Sequence, residues 1–174
     1  REEVDLVGLL VDTVADARAA GPDHDWQLDL AVLEPPADAT PEEAEDFLPE
    51  PPLVIGDEAR LRQVVVNLLA NARVHTPAGS HVTTTLAREG DTLIVRIHDD
   101  GPGIAPEVRD RLFERFARGD SSRERRTGST GLGMSIALAI VQSHGGSIDV
   151  DSSTAPEDHG TTFSIRLPAA VVEE

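Results

Sequence analysis

Residues 82–103 read VTTTLAREGDTLIVRIHDDGPG. Two alternating runs, Val82 to Arg88 and Thr92 to Asp99, flank Glu89-Gly90-Asp91. Alternation with period two marks a half-buried strand, and a short glycine-bearing link between two such runs marks an antiparallel hairpin. The second run leads directly into Asp99-Asp100-Gly101-Pro102-Gly103. Glycine lets a backbone turn tightly and lets another group approach it closely.

Helices stand on both sides of this hairpin in the sequence. Asp57 to Val74 carries the strongest helical signal, with Leu61, Val65, Leu68, Leu69 and Ala72 on one face at a 3.6 period. Beside that face runs an i, i+4 stripe of Gln63, Asn67, Asn71 and His75, and Thr76-Pro77 stops the helix. Leu6 to Ala20 has helical spacing and ends at Gly21-Pro22. Trp26 to Val32 alternates as a strand, and Leu53 to Ile55 is a short one. Asp110 to Phe116 reads as a short helix and Leu132 to Ser143 as a buried one. Ser147 to Val150 and Thr162 to Leu167 are the final strands. Helices alternate with antiparallel hairpins, not with single parallel strands. The order predicts an α+β fold: a two-layer sandwich with helices on one face of a mixed sheet.

Two segments fall outside this pattern. Residues 34–52 hold Glu34, Asp38, Glu42, Glu43, Glu45, Asp46 and Glu50 with no basic residue, and six prolines that break regular structure. They read as a mobile acidic insertion, a partner-binding segment being the other reading. Gly119 to Thr130 reads as a polar loop rich in arginine. At 174 residues the chain is expected to be one domain, residues 1–174. A start at Arg1 in place of Met reads as a piece of a longer protein.

Composition excludes several function classes. The net charge is -17, so nucleic-acid binding through a general basic surface is not expected. All 15 basic residues are arginine. Without lysine there is no P-loop, and no protein kinase of the kind that needs a strand lysine. Cysteine is absent, which excludes disulfides and thiolate metal sites. No apolar run reaches the roughly 18 residues of a membrane span.

Single motifs have ordinary readings. Two asparagines one helical turn apart can be a solvated edge, Asp99-x-Gly-x-Gly can be a plain turn, and Gly131-Leu132-Gly133 can be a loop-to-helix junction. Their order is what carries weight. Residues 57–77 resemble the asparagine box of sensor histidine kinases. Asp99 to Gly103 resembles their first glycine box, Phe113 to Phe116 the phenylalanine box, and Gly128 to Gly133 the second glycine box. Gly160-Thr161-Thr162-Phe163 resembles the final Gly-Thr-x-Phe element. The resemblance covers nearly the whole chain outside residues 34–52. It implies the catalytic ATP-binding domain of a sensor histidine kinase, with the Bergerat-type fold shared with ninety-kilodalton chaperones, type II topoisomerases and mismatch-repair ATPases.

The resemblance also implies roles. Asp99 would accept a hydrogen bond from the adenine amino group, with Thr161 supporting it. Asn71 would offer its amide oxygen to Mg²⁺, Asn67 would complete the polar wall, and His75 would line the ribose and base side. Gly101, Gly103, Ile104, Phe116 and Leu132 would belong to the ATP site. Gly131 and Gly133 would open a helix under the triphosphate, where free amides favour anionic charge. Residues 104–130 would form the ATP lid. Within it Arg118 would contact the terminal phosphate, while Arg123, Arg125 and Arg126 solvate the loop. Asn67, Asn71 and Arg118 would be the catalytic set, with ATP and Mg²⁺ as ligands.

The implied acceptor is a histidine on a separate dimerisation domain, and a response regulator receiver domain is the partner downstream. None of the six histidines here sits in an acceptor motif. The domain itself would be cytoplasmic and touch no membrane, its parent being membrane-anchored. Two alternatives stay open: a stand-alone ATPase of the wider superfamily, or a non-catalytic nucleotide-binding module. Asn67 stands where the hydrolases carry a glutamate base, which favours slow hydrolysis. Val74 stands where relatives commonly carry lysine, and Arg73 beside it points about 100° away around the helix.

Overall fold

The computed structural model describes residues 1–110, 112 and 131–172. Its main sheet has five strands: β2 (Asp25–Asp29), β4 (His81–Glu89), β5 (Thr92–Asp99), β6 (Ser147–Ala155) and β7 (Asp158–Pro168). The spatial order is β2-β4-β5-β7-β6, with β2 parallel to β4 and every other pair antiparallel. A second sheet pairs β1 (Glu2–Asp5) with β3 (Leu53–Gly56) antiparallel. Three long helices, α1 (Leu6–Ala20), α3 (Glu58–His75) and α5 (Gly131–Ser143), share one hydrophobic core with the sheet. Two short helices, α2 (Pro41–Glu45) and α4 (Pro106–Arg109), lie in the connections.

The period of the strands decides which face meets the helices. Leu93, Val95, Ile97 and Asp99 point to the same side of β5 and all are buried. Their neighbours across the ladder fall into rows. Leu86, Val95, Ile165 and Ile148 form one row, and Thr84, Ile97, Phe163 and Val150 the next. The last row is Val82, Asp99, Thr161 and Ser152. The core side of the sheet therefore ends in a polar row.

Helix termini follow their caps. Asp57 Oδ1 accepts from the Arg60 amide at 3.2 Å and starts α3. Thr76 is already extended ahead of Pro77, which ends it. Asp5 Oδ1 caps α1 through the Val7 amide at 2.9 Å. Trp26 Nε1 donates to the Gly21 carbonyl at 2.7 Å, fastening the end of α1 to the start of β2.

Several expectations change at the edges. The strand expected over Trp26 to Val32 stops at Asp29, and Ala31–Leu33 forms a single 3-10 turn that still buries Val32. The pairing of β2 with β4 runs out at Asp29, and Pro35-Pro36 ahead can donate no ladder bond. Regular structure was not expected within 34–52, yet Pro41–Glu45 makes one helical turn. Thr40 and Glu43 form a reciprocal capping box, and Pro41 supplies a preset φ at the first position. The short helix expected at Asp110 to Phe116 is preceded by Pro106–Arg109, and residues 113–116 lie outside the described residues. Strands β6 and β7 run past the expected bounds, because pairing continues through the polar stretch Asp151 to Ala155. The β1–β3 pair was not foreseen: four residues are too few to show alternation.

Leu68 is 0% exposed at the centre of α3. Leu68→Ala should lower the unfolding free energy by about 3 kcal/mol, within the usual range for emptying such a site. Urea denaturation measures this, and a loss of less than about 1 kcal/mol would show that the α3 face is not central to the core.

Candidate functional site

Asp99 lies where the next core hydrophobe of β5 would fall, and it is 7% exposed. A carboxylate so placed must be hydrogen-bonded, because desolvating it unpaired is costly. Its Oδ1 accepts from the Gly101 amide at 3.0 Å. Burial pushes the Asp99 carboxyl above the usual carboxylate range. The backbone bond from Gly101, the charge of His98 and a backbone bond from Thr161 pull it down, Asp100 pushes it up, and burial prevails.

The turn after Asp99 has no room for side chains at two places. A Cβ on Gly101 would stand 2.5 Å from the Thr76 methyl. Gly103 has φ +81°, and a Cβ there would meet the Ser153 carbonyl oxygen at 2.0 Å. The turn is thus pressed between the end of α3 and the edge strand β6. Ser152 holds it there. Its hydroxyl accepts from the Ile104 amide at 2.7 Å, donates to the Gly160 carbonyl at 3.1 Å, and lies 2.8 Å from Thr161 Oγ1. With the Ser152 proton on Gly160, the Thr161 hydroxyl donates to Ser152. Thr161 is expected to support Asp99. Its hydroxyl bonds Ser152, and its backbone acts on the Asp99 carboxyl and lowers its pKa.

Asp100 faces the other way. Its carboxylate accepts from the His81 amide at 2.7 Å and from His81 Nδ1 at 2.8 Å. Burial works to raise its pKa, but the hydrogen bonds and charge of His81 outweigh it and hold Asp100 below the usual range. Asp99 and Asp100 are adjacent in sequence, yet their carboxyl groups are pushed in opposite directions.

The α3 stripe lines the neighbouring wall. Asn67 and Asn71 are half-buried, and Gln63 and His75 are exposed. Asn67 Nδ2 reaches the Gly133 carbonyl at a long 3.4 Å, which ties the stripe to the start of α5. The Asn71 side chain carries an amide oxygen, a ligand type that suits a hard cation; among the described residues no three His, Cys, Asp or Glu side chains converge. The protein around the His75 ring disfavours its charge and lowers its pKa, against the pull of Asp99. Thr76 donates to the Ala72 carbonyl at 2.6 Å and accepts from His24 Nε2 at 2.7 Å, which turns its methyl onto Gly101. Arg73 lies against Gly21 and Trp26 on the α1 side, away from the stripe, and Val74 is exposed.

Of the expected site residues, Asp99, Gly101, Gly103, Ile104 and Thr161 come together where β5 ends beside β6 and β7. The charge of Asp99 acts on His75, and Asn67 and Asn71 share the α3 stripe, Asn67 reaching Gly133. Gly131 and Leu132 contribute the first backbone turn of α5. Phe116 and Arg118, with most of the expected lid, lie outside the described residues. Ser152 and His81 were not foreseen. Their only sequence signal is a polar residue on an alternating strand, which does not identify a partner.

Residues 56–171 match the family described as histidine kinase-, DNA gyrase B- and HSP90-like ATPase. The chain belongs to this ATPase family. It is 48% identical over 168 residues to the probable sensor histidine kinase TcrY of Mycobacterium tuberculosis, strain ATCC 25618 / H37Rv. That alignment covers 97% of this chain and 31% of the relative. To the sensor histidine kinase TrcS of the same strain it is 39% identical over 172 residues, covering 96% and 30%. The chain therefore spans less than a third of the length of these relatives. Its fold is that of the mycobacterial sensor histidine kinase MprB, with TM-score 0.73, 28% identity, and coverage of 98% of this chain and 99% of that one. The ATP-binding domain of PrrB from M. tuberculosis follows at TM-score 0.67 and 26% identity, covering 97% of each chain. The α+β two-layer expectation holds, and the sequence and fold are those of the ATP-binding catalytic domain of sensor histidine kinases.

The raised pKa of Asp99 has a consequence for stability. Between the unfolded value of 3.8 and the higher folded value, the native state keeps a proton that the unfolded chain has lost. Stability therefore falls as pH rises through that window, and the cost persists at neutral pH. Asp99→Asn should make the ligand-free domain more stable than wild type at pH 7 and remove this part of the pH dependence. Urea unfolding of both proteins at pH 4 and 7 tests it; an Asp99→Asn protein weaker than wild type at pH 7 would contradict the account.

Proposed function

We propose that this domain binds ATP and presents its γ-phosphoryl group to a histidine on a separate dimerisation and phosphoacceptor domain. The observation that carries the reading is Asp99, a buried carboxylate on a tight glycine turn, whose charge acts on His75 at the end of the α3 stripe. A carboxylate aimed at an amino donor accepts adenine and rejects guanine, which offers a carbonyl at that place; leaving such groups unpaired costs about 1–3 kcal/mol.

The other roles follow from residue chemistry. Gly101, Gly103 and Ile104 shape the base pocket, and His75 closes its ribose side. The first turn of α5, with Gly131, Leu132 and Gly133, directs free amides at the phosphates. Asn71 would hold Mg²⁺ through its amide oxygen, and the ion would neutralise phosphate charge. Asn67 keeps the stripe and α5 together around the triphosphate, and Phe116 and Arg118 act from the lid formed by residues 104–130. Phosphoryl transfer needs in-line placement and charge neutralisation more than covalent help from protein. Asn67 cannot take a proton from water, so hydrolysis is slow and transfer waits for the acceptor histidine.

The acceptor domain of the same kinase and a response regulator downstream are the proposed partners. The net charge of -17 speaks against nucleic acid. Among the described residues no helix is long and apolar enough to cross a membrane. A cytoplasmic position under a membrane-anchored parent is part of the proposal.

Labelled ATP should bind this chain with little turnover and no self-labelling. Acid-labile label should appear on an added dimerisation domain; rapid hydrolysis without that partner would favour a self-sufficient ATPase. Asp99→Asn should lose ATP binding, whereas Asn71→Ala should abolish Mg²⁺-dependent transfer while adenine binding largely survives. Wild-type transfer by Asn71→Ala would remove that residue from the metal site. The acidic segment 34–52 is proposed to be mobile on composition, and amide exchange there should be much faster than in α3.

A further inference from the structure

The turn that carries Gly101 is gripped a second time, from β7. His159 Nδ1 lies 2.6 Å from the Gly101 carbonyl oxygen. A carbonyl oxygen only accepts, so Nδ1 carries the proton and Nε2 is the basic nitrogen of the neutral ring. The bond therefore exists in both the neutral and the charged form of the ring.

Gly101 is thereby held at both ends of its own backbone. Its N–H donates to Asp99 Oδ1 at 3.0 Å, and its C=O accepts from His159. Pro102 follows and has no N–H, so no backbone donor of its own ties down that peptide. Gly160 explains how the imidazole reaches. Its φ is +151°, and a Cβ there would stand 2.4 Å from the Asp99 carbonyl oxygen. Only a glycine lets β7 come close enough to the end of β5 to put the preceding side chain over the turn. Ser152 and His81 hold the flanking residues Ile104 and Asp100. The Gly101–Pro102 peptide is left to His159.

We infer that His159 is a positioning residue for nucleotide binding: it clamps the Gly101 carbonyl and so fixes the amide that orients the Asp99 carboxylate toward the base. The inference rests on the proposed reading of Asp99 as the adenine acceptor. His159 acts through Gly101 and touches no phosphate. Its loss should weaken ATP and ADP by the same factor.

Titration calorimetry on wild type, His159→Ala, His159→Phe and His159→Asn provides the test. Loss of one net hydrogen bond should weaken ADP and ATP binding about fivefold in His159→Ala and His159→Phe. His159→Asn, whose side-chain amide can donate at the same place, should stay within about twofold of wild type. A merely space-filling role would instead be rescued by Phe and not by Asn. The ¹⁵N spectrum of the wild-type imidazole should show the Nδ1-protonated tautomer, a measurement that needs no variant to fold. Unchanged affinity in His159→Ala, failure of Asn to rescue, or an Nε2-protonated ring would overturn the clamp while leaving ATP binding intact. Absence of ATP binding by wild type would overturn the reading of Asp99 and the clamp with it.

Discussion

A carboxylate occupies a core position of β5. The period of the strand puts Asp99 in line with Leu93, Val95 and Ile97, on the face that the helices cover. Around this constraint the local sequence becomes narrow. Gly101 is needed because the Thr76 methyl fills the space of its side chain, and Gly160 because β7 must approach the Asp99 backbone. The remaining polar groups of the row, Thr161 and Ser152, satisfy each other and the chain beside them. The last row of the sheet gives up hydrophobic burial and gains a rigid acceptor.

Asp100 illustrates how strongly position decides the state of a carboxyl group. It leaves the strand on the outer side, where His81 donates twice, and its pKa falls; one residue earlier burial raises it. The α3 stripe carries neutral amides. Asn67 and Asn71 present dipoles that suit either a cation or phosphate amid a strongly acidic chain, without the repulsion that another carboxylate would add.

Long periodic elements were legible in the sequence: α1, α3 and the β4–β5 hairpin needed only their own residues to be recognised. What escaped depended on distant partners or on very few residues. The β1–β3 pair offers a single buried residue on β1, Val4. The one-turn helix at Pro41 depends on a four-residue cap inside a proline-rich stretch. In the site, Asp99 and its glycines were legible because they are contiguous and chemically unusual. Ser152, His81 and His159 were not, since their importance comes from strand register and the turn after β5, which bring residues distant in sequence side by side. The bond between the Thr161 hydroxyl and Ser152 also comes from register: the two residues stand directly across the ladder.

The polar row also depends on long-range pairing. The β4–β5 and β6–β7 hairpins join strands adjacent in sequence, whereas Asp99 meets Thr161 only through the pairing of β5 with β7, which are far apart along the chain. Neither hairpin alone brings Asp99 and Thr161 together. Under the proposed function a nucleotide held there would recognise only the folded chain, its binding free energy would add to global stability, and that stability would rise with nucleotide concentration.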